Sequence, residues 1–276
     1  MGLAVVCRRV VHIYRVEGSD VVALSGVDLS ISSGEMVALV GPSGSGKSTL
    51  ISLLGGLMRP SAGRIAVGGY DIGKLSDAEL NRLRGTEIGV VLQGAARNLL
   101  PYASLHRNVW LAQRRAAATR GIELAEPEEI LDLVGLSGLA NAKPPSLTAG
   151  QQQRAALAVG IAAGPGLLLV DEPTSQLDSA GRDEVLAALQ AVNAKRDTTI
   201  VVVTHDPEVG ARLGRVVTIR DGRVGAEGRD GQDFAVVAGD GTIQLPPDIL
   251  GEFPPGTLFL VDRDEDGSVR LESERS

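Results

Sequence analysis

Residues 41–49 read GPSGSGKST and meet the pattern G-x-x-x-x-G-K-[ST] at Gly41, Gly46, Lys47 and Ser48. Glycines let a chain curl until its N–H groups face one anion. The residues between them, Ser43, Gly44 and Ser45, add donors to the same ring. Lys47 can reach outer phosphates, the Ser48 hydroxyl can ligate Mg²⁺, and Thr49 offers a hydroxyl to an inner phosphate. A helix starting here turns its positive end and unpaired N–H groups toward the same charge. The loop is therefore expected to bind a nucleoside triphosphate, with Mg²⁺ beside it.

A second constellation lies in LLLVDE (167–172), where four apolar residues end in Asp171 and Glu172. A buried strand of an open α/β sheet delivers such carboxylates to its carboxyl end, where ligands bind. Asp171 is placed to hold Mg²⁺, and Glu172 to orient or deprotonate an attacking water.

The elements that must position these residues are legible as alternating short β-branched runs and longer helical patterns, which favours a mostly parallel sheet. EMVALVG (35–41) reads as a buried strand entering the glycine loop, and STLISLLGGL (48–57) as the helix leaving it. RIAVGGYDI (64–72) reads as strand, Gly-Gly turn and strand, and EIGVVLQ (87–93) as a strand with a polar end. From 95 to 163 strand signals vanish and Ala/Leu/Arg patterns take over, as in a helical subdomain inserted into the core. LLLVDE and TIVVVTHD (199–206) return to buried strands. Within the inserted stretch, AQRRAAATRG (112–121) reads as a solvated helix face.

With 276 residues, 43% hydrophobic and 3% aromatic, the chain can bury a large aliphatic core. Its single cysteine, Cys7, excludes an internal disulfide and a cysteine-rich zinc site. No basic-then-apolar leader follows Met1, which argues against secretion. The longest uncharged run, AALAVGIAAGPGLLLV (155–170), is interrupted by Gly164, Pro165 and Gly166 and reads as helix end, turn and strand, not a membrane span. Net charge is unevenly placed. Residues 230–276 hold three basic and eleven acidic residues, a net of −8, and the preceding 229 hold 24 and 23, a net of +1. Two modules with a border near 225–232 are expected, and RDGRVGAEGRDGQD (220–233) is the linker candidate.

Taken in order, these residues resemble an ATP-binding cassette (ABC) ATPase subunit over roughly residues 3–228. The resemblance implies an α/β fold of the P-loop NTPase ABC type, a RecA-like core with antiparallel β and helical subdomains, here followed by a small β-rich domain at 229–276. It implies that Tyr14 stacks on adenine and that Gln93 senses Mg²⁺ or water and touches a transport partner. LTAGQQQR (147–154) matches the family signature, so Leu147, Thr148, Ala149, Gly150 and Gln151 would meet nucleotide. Asp178, in DEPTSQLD (171–178), would cross a dimer interface, and His205, in VTHD (203–206), would contact the γ-phosphate. The implied assembly is a head-to-tail homodimer with each ATP–Mg²⁺ between one copy's phosphate loop and the other's signature. A single chain would then be a poor ATPase.

Residues 41–93 and NLLP (98–101) resemble the subgroup serving lipoprotein release, macrolide efflux and cell-division permeases. That implies a cytoplasmic subunit, peripheral on the inner membrane face, driving an integral-membrane permease. Three departures stand out. GAAR (94–97) adds about two residues before NLLP, in a segment that shapes the groove for the permease. Arg107 stands where the subgroup usually has an acidic residue. The signature has Thr148 for Ser and Ala149 for Gly; Ala149 is neutral if its φ is negative but costs about 1 kcal/mol if φ is positive. Reduced, not abolished, activity is the expectation.

In the tail, GTIQLPPDIL and FPPGTLFLV (241–261) resemble the swapped-hairpin domain of AbrB-type regulators. Many such domains bind DNA, but a net of −8 repels phosphate backbone, so dimerisation or regulation is expected and no nucleic-acid partner. From a different class, a soluble cassette ATPase with a regulatory, DNA-maintenance or translation role remains open. So does a regulator in which nucleotide binding outlasts catalysis.

Overall fold

The computed structural model describes residues 1–16, 18–121, 124–229, 232–237, 241–245, 252–253, 256–264 and 268–273. A long hairpin comes first, β1 (Val5–Val16) and β2 (Ser19–Ile31). Strand β3 (Met36–Val40) runs into the glycine loop, and α1 (Lys47–Leu54) leaves it. A short hairpin, β4 (Ala62–Val67) and β5 (Tyr70–Asp71), turns on Gly68 and Gly69, and α2 (Asp77–Thr86) and β6 (Ile88–Val91) follow.

Helices α3 (Leu105–Arg120), α4 (Pro127–Leu133) and α5 (Ala149–Ile161) fill the stretch that lacks strand signals. Alternation returns with β7 (Leu167–Asp171), α6 (Ser179–Arg196), β8 (Thr199–Val203), α7 (Pro207–Ala211) and β9 (Arg215–Arg220). The last strands are β10 (Arg223–Arg229), β11 (Gln232–Ala235), β12 (Phe259–Arg263) and β13 (Val269–Ser273).

The main sheet has the order β11-β10-β9-β3-β8-β7-β6, parallel from β9 to β6 and antiparallel at β10 and β11. Its central strands are apolar on both faces, as strands covered on two sides must be. The period of two then divides them between two cores. Leu168, Val170, Ile200 and Val202 enter the core under the helical layer, with α3, α5 and α6. Leu167, Leu169, Val201 and Val203 enter the other, with α1 and the antiparallel sheet β2-β1-β4-β5.

The antiparallel layer is less regular. Pairing of β1 with β2 shifts register between Cys7 and Val10, and Arg9 there has φ 46. Such bulges re-aim the side chains that follow and increase local twist. After the bulge, Tyr14 lies opposite Val21 and Ile13 opposite Val22, at the end of the hairpin nearest the glycine loop.

The main sheet runs past the expected border. β10 and β11 form an antiparallel pair added to β9, so the linker candidate at 220–233 is largely strand. Glycines read there as linker residues instead serve turns and close packing. Gly222 turns β9 into β10 at φ 71, and Gly225 lies so close to Gln244 that a Cβ would meet its Oε1 at 2.2 Å. The chain beyond β11 folds back on β10: the Val236 N–H donates to the Gly225 carbonyl at 3.2 Å, and Arg223 donates to Thr242 Oγ1 at 3.2 Å. β12 and β13 form a separate, largely exposed hairpin. Most of the Pro-led segment of the AbrB-like stretch lies outside the described residues.

Candidate active site

Strands β3, β7 and β8 end in register: Leu39 pairs with Val203, and Asp171 with Val203 from the other side. The glycine loop, the two carboxylates and His205 therefore emerge at one edge of the parallel sheet, where loops can converge on a ligand.

Two glycines in the loop are sterically obligatory. Gly41 has φ 146, and a Cβ there would come within 2.0 Å of the Ile219 carbonyl oxygen. Gly46 has φ 101, and a Cβ would meet the Ala23 carbonyl oxygen at 2.5 Å. Gly46 caps α1 without a side-chain acceptor, and the first turn has no acidic residue, so no side chain of α1 competes for its leading N–H groups. That leaves them for an anion. Lys47 is buried, with Nζ donating to the carbonyls of Gly41 at 2.7 Å and Pro42 at 2.8 Å. Burial lowers its pKa, while Glu172 and Asp171 pull it up.

Asp171 is held with its pKa raised, first by burial and then by Glu172; Lys47 and Arg97 lower it. Glu172 is a non-glycine residue with φ 48, in the left-handed region, and its N–H donates to the Val203 carbonyl at 2.9 Å. Its carboxylate Oε2 lies 2.8 Å from His205 Nδ1. The Glu172 side chain is 13% exposed and that of His205 69%. The acceptor is thus anchored in the floor, and His205 Nε2 is left free toward solvent.

Tyr14 is tethered at the other end of the cleft. Its hydroxyl lies 3.1 Å from Thr49 Oγ1, and its ring meets His12 edge-on at 4.8 Å. The ring face stays partly open, 37% exposed.

The cleft so formed has a volume of about 490 Å³. It brings together Tyr14, Ser43, Gly44, Gly46, Lys47, Ser48, Thr49, Gln93, Asp171, Glu172 and His205, with Gly41 and Ser45 just behind in the same loop. Sequence reasoning missed the exposed Val21 and Val22 beside Tyr14, which add apolar surface for a flat ligand. It also missed Arg97, whose charge reaches Asp171 from the GAAR stretch. Two adjacent valines opposite an aromatic were the available signal for the first. Nothing in the sequence flags the second.

The signature is placed elsewhere. Leu147, Thr148, Ala149, Gly150, Gln151 and Asp178 do not line this cleft. Thr148 caps α5: its Oγ1 accepts from the Gln151 N–H at 3.2 Å, and Gln151 Oε1 accepts from the Thr148 N–H at 3.0 Å. Ala149 is the first helical residue, and its φ is not positive. The backbone penalty considered for it does not arise. Gly150 is buried against Gly181 at the start of α6, where its Cβ would stand 3.3 Å from a backbone Cα. Its small size serves helix–helix approach. Asp178 caps α6, accepting from the Gly181 N–H at 2.8 Å.

The family model for ABC transporter matches residues 24–175. The lipoprotein-releasing system ATP-binding protein LolD of Anaeromyxobacter dehalogenans is 43% identical over 206 residues, covering 74% of this chain and 85% of the relative. MacB of Rhodopirellula baltica, a macrolide export ATP-binding/permease protein, is 41% identical over 218 residues, 78% of this chain but 32% of that longer protein. Among solved structures, a dimeric, post-hydrolysis ATP-binding cassette with ADP and Pi matches with TM-score 0.72 at 34% identity, covering 83% of this chain and all of the other. A triphosphate loop, an acid-ended strand and a capped signature helix in this order, with these likenesses, place the chain in the ABC transporter family as an ATP-binding cassette that hydrolyses ATP.

Proposed function

We propose that this chain is the ATPase subunit of a membrane complex, that two copies close head to tail around two ATP, and that closure drives an integral-membrane permease. The carrying observation is that the cleft is half built. One wall holds the loop, both carboxylates and His205, whereas the capped start of α5 lies outside it with Thr148 and Ala149 exposed. A second copy would supply that helix start to the open side, adding N–H donors to the γ-phosphate's charge. Among the described residues no helix is long and apolar enough to cross a membrane, so the membrane link in this reading runs through the partner, on the inner face.

In the closed dimer Lys47 and the loop N–H groups hold the phosphates, and Tyr14, flanked by Val21 and Val22, takes the base. Ser48, Gln93 and Asp171 supply hydroxyl, amide and carboxylate oxygens to the cleft, a hard donor set that suits Mg²⁺. When bound, that ion would offset phosphate charge. Glu172 takes the proton of the water that adds to the γ-phosphorus as the bond to the β-phosphate oxygen breaks. His205, whose Nδ1 lies 2.8 Å from the Glu172 carboxylate, fixes that carboxylate's direction, and with a hydrogen on each ring nitrogen it donates from Nδ1 to Glu172 and from Nε2 to the γ-phosphate.

ATP turnover of the purified chain, measured across protein concentrations and beside Glu172→Gln, tests this. Turnover per chain should rise with concentration, and the variant should bind ATP but nearly cease hydrolysis. Unchanged steady-state hydrolysis in the variant would remove Glu172 from the chemistry, and turnover stimulated by DNA would favour a maintenance ATPase instead.

A further inference from the structure

The loop that holds phosphate leans on a turn far along the chain. Arg220 of β9 pairs with Arg223 of β10, and between them Asp221 and Gly222 both have positive φ, 50 and 71, as a tight two-residue hairpin turn requires. The buried Gly222 N–H donates to the Ser45 carbonyl at 3.2 Å, and the Gly222 carbonyl accepts from the Ser25 N–H of β2 at 2.9 Å. A trans peptide points its C=O and N–H opposite ways. A Ser45 carbonyl held on the turn therefore aims the next N–H, that of Gly46, away from the turn, and Gly46 lines the cleft. The Ala23 carbonyl oxygen lies between the two glycines: a Cβ on Gly46 would meet it at 2.5 Å and one on Gly222 at 2.8 Å. Ala23 lines the cleft beside Val21 and Val22. The turn thus braces both the phosphate loop and the wall next to Tyr14, through backbone contacts that no side-chain rearrangement can absorb.

The tail holds the same turn from behind. Pairing of β9 with β10 slips by one residue between Val224 and Ala226, which leaves the buried Gly225 as a bulge. A bulge residue lacks a partner in the ladder. Here its carbonyl accepts from the Val236 N–H at 3.2 Å, and the Gln244 carboxamide fills the space a Cβ would need. Arg223, next to Gly222, donates to Thr242 Oγ1 at 3.2 Å. Val236 packs on the core shared by α1 and the first hairpin, and Val237 bridges to Ile243. Thr242 and Gln244 are therefore presented on an anchored return of the chain. From Gln244 to the Gly46 N–H the connection runs through Gly225, Arg223, Gly222 and Ser45, each in contact with or close along the chain to the next.

We propose that Gly222, Thr242 and Gln244 are positioning residues of the nucleotide site: seated on the β10 bulge, the tail holds the β9–β10 turn, and the turn holds the phosphate loop in its binding shape. An unbraced loop must order itself at each binding event, and that cost is taken from affinity. Whatever draws 242–244 off β10 loosens the grip on nucleotide. The acidic tail thereby gains a regulatory role that requires neither DNA nor an exchange of hairpins. The inference rests on the nucleotide cleft and on neither the membrane partner nor the closed dimer.

The test uses the full chain and ADP with Mg²⁺, so that no turnover occurs. If the seated tail favours nucleotide, nucleotide must favour the seated tail by the same factor. ADP should therefore slow amide hydrogen exchange at 41–49, at 221–225 and in the docked tail (236–237 and 242–244), and leave the separate β12–β13 hairpin unchanged. Thr242→Val with Gln244→Ala should weaken ADP binding about fivefold in a calorimetric titration, the low end for coupled sites. In that variant ADP should still slow exchange at 41–49 but no longer in the tail. Thr242→Ser with Gln244→Met keeps the hydroxyl and the bulk over Gly225, and should bind ADP as the parent does. Slowing at 41–49 in the parent with none in the docked tail overturns the proposal, as does slowing that spreads equally to the β12–β13 hairpin. Unchanged ADP affinity in the first double variant overturns it too, and so does a second double variant as weak as the first. The exchange measurement on the parent decides the matter even where a variant fails to fold. A parent chain that binds no ADP loses the cleft assignment itself, whereas one that binds ADP without this coupling loses only the role of the tail.

Discussion

The backbone at Glu172 gives a quantitative test of why the cleft is built as it is. A non-glycine residue at φ 48 is held in a conformation that costs an L-residue about 1–2 kcal/mol. Glycine adopts it freely but loses about 0.5–1 kcal/mol through its greater freedom in the unfolded chain. Glu172→Gly and Glu172→Ala both remove the carboxylate and its bond to His205, so their difference isolates the backbone. The glycine variant should be the more stable by about 0.5–1 kcal/mol, reversing the usual order. For a chain of this size that is on the order of 1–4 °C in melting temperature. Paired thermal melts without nucleotide measure it, and both variants should lack turnover. An alanine variant as stable as the glycine one, or more so, would refute the strain and the inference that it serves to aim the carboxylate.

Two further perturbations follow from the same geometry. Because burial and Glu172 raise the Asp171 pKa, the folded protein binds that proton more tightly than the unfolded chain, so stability is lost as pH rises from the ordinary Asp value through the raised one. Asp171→Asn should therefore melt higher than the parent at neutral pH, the gap closing toward about pH 4, while ATP hydrolysis is lost. Thr148→Ala should lower stability by about 1 kcal/mol through loss of the capping box, and Thr148→Ser should restore most of it. Ala149→Gly, at the first helical position, should gain no stability; a gain near 1 kcal/mol would show that Ala149 is strained after all.

The cleft was legible where local chemistry dictates conformation. Gly41, Gly46 and Lys47 fix a loop by themselves, and the all-apolar runs of β3, β7 and β8 admit only a strand buried on both faces. Their common carboxyl edge then gathers Asp171, Glu172 and His205. The first hairpin was harder to read because its bulge at Arg9 breaks the period of two that marks a half-buried strand. β10 was mistaken for linker because Gly225 and Gly228 look like flexibility, when Gly225 is packed against Gln244. Nor could the sequence show the conformation of Ala149. Only the capping bonds of Thr148 and Gln151 place it inside a helix, and only the contact with Gly181 explains Gly150.

The shared nucleotide is tested most directly by the solution mass of Glu172→Gln, with and without ATP and Mg²⁺, from light scattering on eluting protein. The expected result is a shift from the 28.6 kDa chain to twice that mass with ATP, holding two nucleotides per pair, and reversal when ATP is removed. A variant that binds ATP yet stays at the mass of one chain at every protein concentration would contradict a cleft completed by the second copy's signature helix.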